Sequence, residues 1–382
     1  MLLSNTIVFR FNALRSYAGS LAWDPLVKLS RSLTLALLQR IQTGQLTITD
    51  TDGQIYHCGI ALPSTPCTTL HVYKNLFWVR LLLFADMGFA ESYTLFEISC
   101  RDLTAFFKLF ILNRSHLFNG STLTSTLSTS LTGLLRRAND LSNARLNIAA
   151  HYDISNAMFA AFLSADMTYL RWGSFAITAV RAMGCRVTSL ALSVEQKELA
   201  EERIGSAGLE NGIEVLLWDY RALEKMGKVP VGGFDKLVSI EMLEAVEREY
   251  LRYEAYAKGD GFICKHILPG GHLPSVSQLV QKIAEGSRAT LVVDAIKDIG
   301  PHYAKTLRLW EGNFMQNFDA EIRPALLVEH EHMTKRDAET FRRKWEYYFT
   351  YCEAGFATKT LGDVIITAGR EGAMEMLEDV SF

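Results

Sequence analysis

The sequence predicts an α/β protein in two parts, a small α+β domain followed by a domain whose strands alternate with helices. Two observations predict it. From Ser174 to Glu244 apolar runs of strand length alternate with helical segments, and several of the strands end in polar residues. Ahead of them lie a tight hairpin, short alternating strands and apolar helices, closed by a Ser/Thr-rich stretch from Ser121 to Thr132 that has no period and reads as a linker. The resulting division is a leader over 1–24, an α+β domain over 25–117, a linker over 118–144 and a nucleotide-cofactor domain over 145–382.

In the first domain, Leu26, Leu29, Leu33, Leu37 and Ile41 recur at helical spacing from Pro25 onward. Leu46 to Thr49 alternates, and Asp52-Gly53 turns the chain into Gln54-Ile55-Tyr56. Leu70-His71-Val72 is a further strand, Leu76 to Ala85 a core helix, and Asp102 caps a helix over Leu103 to Leu112.

In the second domain a helix runs from Ser174 to Met183 and stops at Gly184. Arg186 to Leu192 is a strand, and Ser193 caps a helix from Val194 to about Ile204. Ile213 to Trp218 is a strand ending in Asp219-Tyr220, and Phe234 to Ile240 a strand leading to Glu244. Strand–helix alternation implies right-handed crossovers and a parallel sheet, with ligands bound beyond the carboxyl ends of its strands. Ala191, Asp219, Tyr220 and Glu244 fall at such ends. Farther on come a helix over Ser275 to Glu285, a strand over Ala289 to Ala295, a helix over Tyr303 to Phe314, a long helix from Lys335 and a last strand over Asp363 to Thr367. The long helix carries Phe341, Trp345, Tyr348 and Cys352 on one face.

Bulk properties exclude several classes. Of the 382 residues 49% are hydrophobic, too many for a disordered chain. A net charge of −3 argues against a general nucleic-acid binder. The six cysteines are scattered without a Cys-x-x-Cys pair, so neither a disulfide framework nor a zinc site is expected, and a reducing compartment such as the cytoplasm fits. No apolar run is long enough for a transmembrane helix. Met1 to Tyr17 hold Arg10 and Arg15 and no acid, the pattern of a mitochondrial presequence or of an unstructured leader. Asn113-Arg114-Ser115 matches the glycosylation pattern, but no secretory signal precedes it.

Several segments in order carry a resemblance. They are Ala150 to Asn156, Asp166-Met167-Thr168-Tyr169, Leu190 to Gln196, Trp218-Asp219-Tyr220-Arg221, Val238 to Val246, Pro269 to Ser275 and Gly300-Pro301-His302-Tyr303. Over about Gln45 to Gly369 the chain resembles the cyclopropane-fatty-acyl-phospholipid synthase family of S-adenosylmethionine-dependent methyltransferases. The resemblance implies a class I, Rossmann-like methyltransferase sheet, and transfer of a methylene group from S-adenosylmethionine to the double bond of an unsaturated phospholipid acyl chain. A related enzyme that methylates a sphingoid base is a close variant. The partner is then a membrane lipid met peripherally, with a homodimer left open.

The resemblance also assigns residues. Glu244 and Tyr303 match the pair that holds a bicarbonate acting as base, and Cys352 matches a late cysteine described as catalytic. Tyr169, Trp172, Gly173, Ser174, Ala191, Leu192, Ser193, Gln196, Asp219 and Tyr220 match cofactor contacts, with Ala191 in place of a threonine common in relatives. No metal is implied. Read without the resemblance, Cys352 is a buried packing residue, Glu244 a residue opening a helix, and Tyr303 a core tyrosine. His330-Glu331-His332 has no third ligand and reads as a solvated loop.

The chain departs from the family at two joins. Leu170-Arg171 run straight into Trp172-Gly173-Ser174, where the family has a strand and a glycine loop against the cofactor. After Tyr250 a second helix and strand are missing. Two sheet strands are therefore expected to be absent, as mis-joined coding segments would produce, and a relative impaired in catalysis is the alternative reading.

Overall fold

The computed structural model describes residues 23–117, 158, 161–163, 173–191, 194–220, 223, 225–230, 233–239, 262–267, 273–330 and 332–370. Residues 1–22 of the leader, the linker and the segments around Tyr169, Leu192 and Glu244 lie outside them.

The front domain is a helix laid on a small sheet. Helix α1, residues 23–38, buries Val27, Ser30, Thr34 and Leu38. Strands β1 (Gly44–Thr49), β2 (Ile55–Ile60), β3 (Cys67–Val72) and β4 (Ile98–Cys100) follow in the spatial order β2-β1-β3-β4. β1 runs antiparallel to β2 and parallel to β3, while β3 and β4 are antiparallel. Alternation sends Leu46 and Ile48 inward and Thr47 outward. Helix α2 (Leu76–Thr94) extends well beyond Ala85, across a kink at that residue, where φ is 47°. It buries Arg80 among apolar neighbours, held by Glu91 at 3.0 Å and Glu97 at 3.1 Å. Helix α3 (Leu103–Leu112) starts where Asp102 accepts the Ala105 N–H at 2.7 Å. Asn113 is fully buried just before the one-turn helix α4 (Arg114–Leu117). Its amide clamps the backbone of Gln42 and Thr43, so its nitrogen is no glycan acceptor in this fold.

The second domain begins with α5 (Ser174–Met183), which Gly184 ends at φ 63° by bonding back to Val180. Strand β5 (Val187–Ala191), helix α6 (Val194–Ser206) and strand β6 (Ile213–Leu217) then form one parallel crossover. Ala176, Ala200, Ile204, Ile213 and Val215 fill the space between these elements. Helices α7 (Phe262–His266) and α8 (Val276–Gly286, opened by a Ser275–Gln278 capping box) lead to β7 (Leu291–Asp298). Helix α9 (Gly300–Asn317), a π turn over Phe318–Ile322, α10 (Arg323–Glu329), α11 (Lys335–Ala357) and β8 (Val364–Arg370) complete the described chain.

One expectation needs correction. Residues 234–239 form no strand; they are exposed, with Leu237 80% accessible. Among the described residues β5 and β6 pair only with each other, and β7 pairs antiparallel with β8 in a separate ribbon. A strand is stable only when its backbone groups find a neighbour and its apolar face is covered. On these two short ribbons Leu217, Val292, Ile296 and Ile365 are exposed.

Helix α11 ties the halves together because it is apolar on more than one side. Tyr347 and Ala354 belong to the front core, with Phe77, Phe89 and Phe107. Trp345, Phe349 and Cys352 belong to the second core, with Leu307, Phe314 and Phe318. Arg343 latches it, donating to the carbonyls of Tyr93 at 2.7 Å and Ile98 at 3.0 Å while its guanidinium lies 4.3 Å from the Phe96 ring.

Candidate functional site

The β5–α6–β6 crossover gathers several of the residues expected to contact a cofactor. Parallel register places Ala191 beside Leu217, so the chain leaves both strands on the same edge. Asp219 lies two residues past β6 and is buried, while Tyr220 next to it is exposed. Gln196, in the first turn of α6, is 3% accessible. Both polar side chains lie near the carboxyl ends of adjacent parallel strands, the edge at which sheets of this kind bind ligands.

Gly173 precedes α5 with φ 84°, a backbone conformation that disfavours any side chain. A Cβ there would lie 3.3 Å from Ala200, so the glycine lets α5 approach α6 closely. Ser174 begins α5, with the Arg203 guanidinium 3.5 Å from its hydroxyl. Tyr169, Trp172, Leu192, Ser193 and Glu244 lie outside the described residues.

The remaining candidate residues come from the later elements. β7 ends at Asp298, whose carboxylate accepts the Gly300 N–H at 2.9 Å and turns the chain into α9. Tyr303 follows in the first turn of α9, so it too sits at a strand's carboxyl end. Its ring is 4.9 Å from Phe356 and 5.8 Å from Trp310, in an aromatic wall. Cys352, on α11, is buried in the same core, and burial pushes its thiol up to about 12. An un-ionised thiol is neither nucleophile nor base at neutral pH. Leu199 of α6 packs against this core too, so the crossover and the aromatic wall meet across α6.

The sequence reading did not find a second polar region. A cleft of about 590 Å³ lies between the front sheet and helices α9 and α11, lined by Thr47, Thr69, Asp102, Thr104, Glu311 and Glu346 among others. It contains none of the candidate catalytic or cofactor residues named above. Burial, and after it the charges of Glu346, Glu353 and Asp102, push the Glu311 carboxyl up to about 7. Glu353, buried beside Cys352, accepts from Arg308 Nε at 2.9 Å and from Thr104 at 3.0 Å, so it pins α9 and α3 to α11. The available signal was the recurrence of acids on two long helices, which alone reads as solvated surface. Among the described residues no group of His, Cys, Asp and Glu is arranged to hold a metal, and no helix is long and apolar enough to cross a membrane.

Comparison with known proteins adds ancestry to this geometry. The family described as mycolic acid cyclopropane synthetase matches residues 170–260 and 252–365, two segments that overlap on this chain. The tuberculostearic acid methyltransferase of Mycobacterium tuberculosis is 30% identical, across 91% of this chain and 93% of its own length. That alignment runs over 427 positions, more than the 382 residues present here, so the relative has stretches without a counterpart. The cyclopropane-fatty-acyl-phospholipid synthase of Escherichia coli K12 is 26% identical over 54% of this chain and 53% of its own. Among solved structures, a mycolic acid cyclopropane synthase complexed with S-adenosylhomocysteine matches at a TM-score of 0.43 and 20% identity, over 59% of this chain and 98% of its own.

Proposed function

The chain belongs to the mycolic acid cyclopropane synthetase family, and from that premise we propose that it transfers one carbon from S-adenosylmethionine to the double bond of an unsaturated phospholipid acyl chain. The observation that carries this reading is the β5–α6–β6 crossover, with Gln196 and Asp219 buried at its carboxyl edge. These residues fit the adenosine part of the co-substrate, with Ala191 and Tyr220 beside them and Gly173 and Ser174 at the approach. When bound, the co-substrate supplies an electrophilic methyl group.

The chain's own residues supply positioning and dryness. Tyr303, Trp310 and Phe356 form an apolar aromatic wall that excludes water from a reacting alkene. The Tyr303 hydroxyl, with Glu244, is assigned to orient a bicarbonate that accepts the departing proton. Cys352 packs behind this wall as a neutral thiol. Loss of that proton from the transferred methyl closes the cyclopropane ring or leaves a methylene branch; a saturated methyl branch would require a further two-electron reductant. Unsaturated phospholipid vesicles and methyl-labelled S-adenosylmethionine, incubated with the purified chain, test the proposal. Label in the acyl chain supports it, and label confined to unreacted co-substrate overturns it.

A specific observation favours a second reading, a family member that does not retain the co-substrate. β5 and β6 have no other paired strand among the described residues, and Leu237 and Val238 stand exposed where a third strand was expected. Titration with S-adenosylmethionine separates the two readings.

A further inference from the structure

Glu353 is a buried carboxylate that the proposed reaction does not use. Its two oxygens go to different elements. Oε1 accepts from Arg308 of α9, through Nε at 2.9 Å and through a terminal nitrogen. Oε2 accepts from the hydroxyl of Thr104, in the first turn of α3, at 3.0 Å. Helices of both domains therefore meet on one side chain of α11. A carboxylate is costly to bury, and here each oxygen has a donor.

Most of the contact between α9 and α11 is apolar. Leu307 and Phe314 of α9 share a core with Trp345 and Phe349 of α11. Such packing holds two helices together without a preferred direction, so it resists sliding weakly. A guanidinium forked on a carboxylate is directional and fixes register. This pair stands beside the aromatic wall. Phe356 follows Glu353 by one turn of α11, and its ring lies 4.9 Å from that of Tyr303. Trp310 is two residues past Arg308 on α9 and lies 5.8 Å from the same tyrosine. A slip of α9 along α11 would carry Tyr303 away from Phe356, and the Arg308–Glu353 pair opposes that slip.

We propose that Glu353 is a positioning residue, which sets the register of α9 on α11 and so the place of Tyr303, and which through Thr104 ties that place to the front domain. The inference rests on the proposed function, in which the Tyr303 hydroxyl orients the base. Glu353 meets no reacting group and acts through Arg308 and the helix that carries it.

The test uses the full chain with the variants Glu353→Gln and Thr104→Val. The first keeps the shape of the side chain and removes its charge. The second leaves the pair with Arg308 intact and removes only the link to α3, so it reports even if the first fails to fold. Hydrogen exchange of the backbone over 303–308 is read by mass spectrometry. It is expected to rise about tenfold in Glu353→Gln and by less in Thr104→Val, with the peptides of β1 to β4 unchanged. Transfer of label from methyl-labelled S-adenosylmethionine to dioleoylphosphatidylcholine vesicles is the second readout. In a wild type that transfers label, Glu353→Gln is expected to lower kcat about tenfold while KM for S-adenosylmethionine stays within about twofold. Exchange over 303–308 equal to that of the wild type overturns the proposal, and so does a rise spread evenly over every peptide, which reports lost stability alone. An unchanged kcat in Glu353→Gln overturns it too. A wild type that transfers no label counts against the proposed function, whereas a local rise in exchange still upholds the role of Glu353.

Discussion

Burial sets the chemistry of individual residues more than identity does. The Cys352 thiol is held protonated by its apolar surroundings, up to about 12, so alkylation of the native protein is expected to modify the exposed Cys67 and Cys185 first and to reach Cys352 only on unfolding. Peptide mass spectrometry over a time course reads this order, and early labelling of Cys352 would contradict it. Arg80 is the opposite case, a buried charge with two carboxylate partners. Arg80→Ala strands Glu97 in the front core and is expected to cost about 3–5 kcal/mol in denaturant unfolding. Neither outcome is legible in sequence. Cys352 showed as one member of an apolar stripe, which gave its burial but not its ionisation, and Arg80 showed only as a charge interrupting a helix.

At the scale of elements, sequence rules hold wherever neighbouring residues suffice to specify a structure. The caps at Asp102 and Ser275, the stop at Gly184 and the hairpin at Asp52-Gly53 are local, and each stands where its residues indicate. The segment 234–239 fails because a strand is a relation between segments, and among the described residues it pairs with none. The acidic cleft between α9 and α11 was hidden for the same reason, since Glu311 and Glu353 become neighbours only in the fold. The Glu311 carboxyl is raised from 4.5 to about 7 by burial and the surrounding acids. The folded chain therefore holds a proton there that the unfolded chain has lost, and the resulting contribution to stability is fully present at low pH and disappears as pH rises through that window. Glu311→Gln is expected to flatten the fall in the denaturation midpoint between those values, and an unchanged pH profile would contradict the assignment.

Over the whole molecule, family membership and competence are separate properties. Membership rests on matches spread along most of the chain. Competence depends on the edge of β5 and β6, where Asp219 and Gln196 are buried and where the proposed function puts the co-substrate. Ancestry was legible because ordered short segments survive on both sides of each join. The state of the sheet was not, because strand pairing depends on segments distant in sequence. The central claim is that this edge binds S-adenosylmethionine, and isothermal titration of the purified full chain tests it most directly. The account predicts saturable heat with S-adenosylmethionine that Asp219→Ala greatly weakens while leaving melting close to the wild type. No heat at millimolar ligand, or equal heat from both proteins, would contradict it.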